Sequence, residues 1–104
     1  MNCIFCKIVA GTLPSNKVYE DEKVLAFHDI APKAPVHVLV IPKEHIESAA
    51  AVTPEHKELL GHIWTVIPQI AEMLGVKDAF NVLTNTGADA GQIVFHLHFH
   101  LLAE

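Results

Sequence analysis

Three of the eight histidines in this chain of 104 residues stand at alternate positions near its end, in the stretch Gln92-Ile93-Val94-Phe95-His96-Leu97-His98-Phe99-His100-Leu101-Leu102. An extended strand points successive side chains to opposite faces, so His96, His98 and His100 are expected on one face and Phe95, Leu97, Phe99 and Leu101 on the other. The apolar face requires a core. An imidazole near neutral pH serves as nucleophile, proton carrier or metal ligand, and a plain solvent face would rather carry Lys, Thr or Glu. Asn85, Gly87, Gly91 and Gln92 lead into this strand. A second constellation is Cys3-x-x-Cys6, half of a tetrahedral zinc site that needs two further ligands. The same spacing also suits two buried thiols one helical turn apart, whereas a redox pair would call for a following βαβ pattern that is absent.

These groups must be positioned by a small set of elements. Residues 3–10 read as a short helix stopped by Gly11 and closed off by Pro14. Val18-Tyr19 and Val24-Leu25-Ala26-Phe27, separated by Glu20-Asp21-Glu22-Lys23, read as a hairpin. Two closely spaced prolines make residues 31–35 a loop, after which Val36-His37-Val38-Leu39-Val40-Ile41 reads as a strand ended by Pro42. A long helix is expected from a Thr53 N-cap, with Pro54 in its first turn, to Gly75. Leu59, Ile63, Val66, Ile67, Ile70 and Leu74 form its core-facing stripe, and Pro68 inside that stripe predicts a kink or break. Residues 79–84 read as a further strand before the Asn85–Gly91 loop and the histidine strand. Short connections between neighbouring strands with one long helix inserted fit an α+β domain built on a mainly antiparallel sheet.

Composition sets outer limits. The length suits a single domain, 1–104, and 51% of the residues are hydrophobic, which excludes disorder. The formal charge is −5, with seven scattered lysines and no arginine, so nothing matches a polyanionic backbone and no nucleic-acid partner is expected. A single phosphate is different, because backbone amides and histidines hold one without arginine. No run of eighteen apolar residues and no leader pattern is present, so a cytoplasmic protein with no membrane partner is expected.

His96-Leu97-His98-Phe99-His100-Leu101-Leu102 resembles the histidine triad motif, His-φ-His-φ-His-φ-φ, of the HIT superfamily. Ile4-Phe5-Cys6-Lys7-Ile8 and the runs from Leu25 to Pro32, Val36 to Ile46 and Asn85 to Gln92 resemble its Hint branch, the nucleoside phosphoramidate hydrolases. The likeness covers nearly the whole chain. It implies a HIT-like α+β fold, with a five-stranded, mainly antiparallel sheet, one long helix and a short N-terminal helix.

The resemblance also implies an activity: double displacement at the α-phosphorus of a purine nucleotide derivative, with His98 as the attacking group and a nucleotidyl-histidine intermediate. His100 and His37 would assist the leaving group or bind phosphoryl oxygens, together with the Asn85 and Gln92 amides and backbone N–H groups from Gly91 to Val94. Ile93 departs from the pattern, since Hint proteins often have a phosphate-binding serine there. Asp29 would accept ribose hydroxyls, with Ile4, Phe5, Ile8, Phe27, Ile30 and Leu39 around the base. Some similar bacterial proteins place a structural zinc on residues equivalent to Cys3, Cys6, His45 and His96; no organic cofactor is implied. A homodimer is implied too, although the chain ends four residues after His100, where Hint proteins continue with a tail. A dinucleoside polyphosphate hydrolase, a zinc metalloenzyme and a non-catalytic nucleotide-binding or scaffold protein remain open alternatives.

Overall fold

The structure, a computed structural model, describes residues 3–104; Met1 and Asn2, counted in the expected domain, lie outside the described residues. The elements are α1 (Ile4–Ala10), β1 (Lys17–Glu20), β2 (Val24–His28), β3 (Val36–Pro42), α2 (Lys57–Met73), β4 (Asn81–Leu83) and β5 (Phe99–Ala103). The strands form one sheet in the order β1-β2-β3-β5-β4, with every neighbouring pair antiparallel. This is the expected α+β architecture, with five strands, one long helix and one short one.

Period-two alternation assigns each strand residue to one of two cores. On one face Val24 and Ala26 of β2, Val38 and Val40 of β3 and Phe99 and Leu101 of β5 pack with Leu97 against Ile63, Val66, Ile67, Ile70 and Ala71 of α2. On the other face Leu25, Phe27, Leu39 and Ile41 pack against Cys3, Phe5 and Ile8, the buried side of α1. His37, one position out of phase with Val38, belongs to this second face and is buried. The sheet thus meets the long helix with one side and builds its polar site on the side that α1 only partly covers.

Local chemistry explains the boundaries. The Cys3 thiol accepts the Cys6 N–H and caps α1, whose end falls at Gly11 in the left-handed region (φ 81°). Thr53 caps as expected, but it caps a single 3-10 turn, Pro54–His56, and the α-helix begins only at Lys57. Pro68 does not break α2, which runs on to Met73. Pro42 closes β3 from within, pairing with Val24.

Two expectations fail at the far end. The strand expected over residues 79–84 is only Asn81–Leu83, and the histidine strand begins at Phe99, after a bend at residues 94–96. The β3–β5 register pairs Leu39 with His100 and Val40 with Phe99, so one more step of two residues would bring Leu97 opposite Pro42. Pro42 has no N–H to give to a ladder, so the pairing stops. His96 and His98 therefore lie ahead of β5, and Phe95 is exposed instead of sharing the core face.

Candidate active site

Because β5 runs beside β3, His100 lies next to His37, and the chain just ahead of it carries His98 and His96 past α1. A backbone N–H can only donate, which fixes the tautomers in sequence. The Lys33 N–H donates to His37 Nδ1 at 3.1 Å, leaving the His37 proton on Nε2. That Nε2–H donates to His100 Nδ1 at 2.8 Å, so His100 carries its own proton on Nε2. His100 Nε2 is buried without a hydrogen-bond partner. His98 is fixed from the opposite nitrogen: the His96 carbonyl, 2.7 Å from Nδ1, accepts the Nδ1–H and leaves a lone pair on Nε2.

Both flanking imidazoles are neutral at pH 7. Burial, with repulsion from His98 and His37 once those rings take up protons, pushes the His100 pKa down to about 4. Burial also lowers that of His37, partly offset by Asp29. The 3.4 Å approach of His37 Nε2 to Asp29 Oδ2 is accordingly a polar contact and not an ion pair, since the Nε2–H points at the nearer His100. Asp29 is tied to β3 through its N–H and the His37 carbonyl (2.9 Å), and its Oδ1 accepts the Ala31 N–H (2.8 Å).

These side chains line one cavity of about 340 Å³. Of the residues anticipated from sequence, Ile4, Phe5, Ile8, Phe27, Asp29, Ile30, His37, Leu39, Asn85, Gly91, Ile93, Val94, His98 and His100 all line it. Three hollows of larger volume, about 690, 460 and 430 Å³, are lined by none of His37, His98 and His100. Ile30, Ile93 and Ile4 are exposed at the mouth.

Gln92 is absent from the lining, and its amide is fully engaged within the protein. Oε1 accepts the Gly87 N–H (2.8 Å), while Nε2 donates to the carbonyls of Glu47 (2.8 Å) and Val94 (3.1 Å). Its geometry ties the loop together and gives no donor to the cavity. Sequence reasoning also missed Pro14, Ser15, Asn16, His28, Ala31 and Lys33 in the wall. The Asn16 carbonyl accepts the His28 N–H (3.0 Å), which brings the segment after α1 to the end of β2. Ser15 Oγ is buried there without a partner. No periodicity could have found it; only the β1–β2 pairing places it.

A second cluster lies behind Phe5, where Cys3, Cys6, His45 and His96 direct one donor atom each into a common space. The separations are 3.4 Å (Cys3 Sγ to His96 Nδ1), 3.3 Å (Cys6 Sγ to His45 Nδ1), 3.6 Å (Cys6 Sγ to His96 Nδ1) and 3.2 Å (His45 Nδ1 to His96 Nδ1). Tetrahedral zinc with Zn–S of about 2.3 Å and Zn–N of about 2.0–2.1 Å requires S···N edges of about 3.6 Å and N···N edges of about 3.3 Å. The residues fit such an ion. His96 Nε2–H donates to the Pro42 carbonyl at 2.8 Å, the outer bond that aims a lone pair on Nδ1 inward. The Asp29, His37 and His100 donors also converge, but the 2.8 Å His37–His100 separation is short for two ligands on one ion and normal for a shared proton.

Known proteins resemble this chain in sequence and fold. The HIT domain profile matches residues 10–104. Protein HitA of Neisseria gonorrhoeae is 50% identical over 101 residues, covering 97% of this chain and 94% of its own. The crystal structure of a HIT family hydrolase from Legionella pneumophila superposes with a TM-score of 0.96 at 41% identity, over 98% of this chain and 92% of that one. A histidine triad nucleotide-binding protein from Candida albicans gives 0.87 at 38% identity, over 96% and 73%. The histidine motif, the strand order that brings His37 to His100, and these likenesses agree, and the chain belongs to the HIT domain family.

Proposed function

We propose that residues 1–104 act as one HIT domain that hydrolyses purine nucleoside phosphoramidates through a nucleotidyl intermediate on His98. One observation carries the reading: the His98 Nδ1–H is held by the His96 carbonyl, so the lone pair is on Nε2, and His98 lines the same cavity as His100, whose buried Nε2–H has no hydrogen-bond partner among the described residues. A neutral imidazole with its second nitrogen hydrogen-bonded is a competent nucleophile, and a fixed, buried donor stabilises charge where it develops.

In the first step His98 Nε2 forms a bond to the α-phosphorus as the P–N bond breaks; the amine leaves with the electron pair and takes a proton from solvent. Water then attacks the same phosphorus and breaks the histidine–phosphorus bond, releasing the nucleoside monophosphate and, to solvent, a proton. His100, neutral with a pKa near 4, acts as a hydrogen-bond donor to a phosphoryl oxygen and not as a strong acid. Asn85 and the backbone around Gly91, Ile93 and Val94 lie in the same wall and supply further donors. Phe5, Phe27, Ile30 and Leu39 offer an apolar slot for a base, and Asp29, in the same wall, would accept a ribose hydroxyl on Oδ2, since Oδ1 is engaged by the Ala31 N–H.

Cys3, Cys6, His45 and His96 would hold a zinc ion. Four protein donors leave no coordination position for water, so its chemistry is that of a cross-link between α1 and the chain ahead of β5. Thiolates in such a set require a reducing compartment, which supports a cytoplasmic location. No helix among the described residues is long and apolar enough to cross a membrane. Exposed Trp64 and Met73 on α2, with β4 at the sheet edge, support a homodimer through that side.

The test is direct. Wild-type protein mixed rapidly with adenosine phosphoramidate should carry an adenylyl group on His98, located by mass spectrometry, and His98→Gly should fold but not turn over. Undiminished cleavage by His98→Gly would refute the mechanism. Preferential cleavage of a diadenosine polyphosphate assayed beside the phosphoramidate would move the assignment to phosphoanhydrides.

A further inference from the structure

We infer that the Cys3–Cys6–His45–His96 cluster sets which ring nitrogen His98 presents to the cavity, so that a metal held there governs the nucleophile without touching substrate. The inference builds on the reading of His98 given above. His98 Nδ1 is bonded to the His96 carbonyl, and the peptide bearing that carbonyl lies ahead of β5, outside the sheet ladder that would otherwise fix it. Something else must hold it.

Two anchors of that peptide lead to the cluster, while Thr84 Oγ1–H on the His98 carbonyl (2.7 Å) and Leu97 in the core against α2 hold the chain that follows. The His96 ring is held by its Nε2–H on the Pro42 carbonyl and by Nδ1 within the four-donor cluster. The next residue, Leu97, donates its N–H to the carbonyl of Ile46 (2.6 Å), the neighbour of His45. Phe5, between the cluster's two cysteines in α1, meets both imidazoles edge to face, with centroids 5.9 Å from His96 and 5.1 Å from His98. His96 is fully buried. Its side chain therefore belongs to the cluster while its main chain belongs to the active site.

The donor set favours a metal for this task. With the His96 Nε2 proton committed to Pro42, its Nδ1 has one lone pair and three neighbours within 3.6 Å, so protons alone satisfy at most one of those contacts. A bound ion uses that lone pair, fixes the ring and so fixes the attached carbonyl. Without it, the carbonyl needs to move only by about 1 Å for the 2.7 Å bond to His98 to fall outside hydrogen-bond range. His98 then also populates the tautomer with hydrogen on Nε2, which has no lone pair for phosphorus. His96 is thus a positioning residue, and losing the metal should lower kcat about tenfold, with KM changed less than about twofold.

The experiment uses the full chain labelled with ¹⁵N-histidine and loaded with zinc. The expected spectrum shows His98 as a single tautomer protonated on Nδ1. Chelation under non-denaturing conditions should turn the His98 signals into those of a tautomer mixture, while His37 and His100 keep theirs. Replacing zinc by the larger cadmium in the folded, loaded protein should shift His98 Nδ1 more than His37 or His100, and this comparison decides the matter if the metal-free chain unfolds. His45→Cys, which keeps four donors, should retain the single tautomer and the kcat that His45→Ala loses. Failure to retain one zinc per chain, or an unaltered His98 tautomer after metal exchange, overturns the inference. The two readings separate cleanly: a metal-sensitive tautomer in a protein that cleaves no phosphoramidate keeps the coupling and removes the catalytic role, and the reverse pattern does the opposite.

Discussion

Acid should destabilise this fold through His100, and the size of the effect follows from its surroundings. His100 has a pKa of about 4 in the folded protein against 6.5 for the free group, because burial and the adjacent histidines oppose its charge. The unfolded chain therefore binds more protons between these values, so stability rises with pH across that window and falls as acid is added. The loss begins near pH 6.5, amounts to about 2 kcal/mol at pH 5, and levels off below pH 4 at about 3 kcal/mol, using about 1.4 kcal/mol per pKa unit. Protonation also places a hydrogen on Nδ1, where His37 now donates. His100→Asn removes the titration but keeps an acceptor for His37. Urea unfolding of both proteins from pH 8 to pH 4 gives the test: the stability difference between them should drift by about 2 kcal/mol against the wild type by pH 5. Parallel pH profiles would show that the His37–His100 pair does not have the protonation pattern deduced from Lys33.

Other outcomes follow from individual contacts. Gln92→Leu keeps the volume but strands the Gly87 N–H and the Glu47 and Val94 carbonyls, so it should cost about 2–3 kcal/mol in urea titration and raise hydrogen exchange across residues 85–94. A Gln92→Leu protein as stable as wild type, with only nucleotide affinity lost, would instead make Gln92 a direct ligand. Asp21 resists protonation: burial raises its pKa, but hydrogen bonds from Tyr19, the Lys23 N–H, His62 and the Val24 N–H outweigh this and hold it well below the usual carboxylate range. Asp21→Ala should lower stability by about 2–4 kcal/mol at pH 7. The stabilisation is present above the ordinary carboxylate pKa and lost as pH falls toward the depressed folded value, so the gap between the two proteins should narrow in strong acid. Ser15→Ala should stay within about 1 kcal/mol of wild type in urea titration, because the buried hydroxyl has no hydrogen-bond partner among the described residues to lose. A larger loss would show that Oγ is hydrogen-bonded in the folded chain.

Much of this protein was already decided by the order of its residues. Alternation in β2 and β3 separates the two cores, the apolar stripe of α2 selects the face it covers, and Gly11 ends α1 because a left-handed residue is needed there. The histidine spacing alone puts His98 and His100 on the side opposite Phe99 and Leu101, and the Cys-x-x-Cys spacing supplies two donors on one helical turn. Local rules could not see where β5 begins, because Pro42, more than fifty positions earlier, denies it a ladder partner. They misjudged Gln92, whose polar amide looks free in sequence but is consumed by Gly87, Glu47 and Val94 once the loop closes. They were silent on Ser15 and on the tautomers of His37, His98 and His100. A side chain's type is a local property, whereas its protonation, its partners and the direction of its lone pair depend on groups that only folding brings within hydrogen-bond distance.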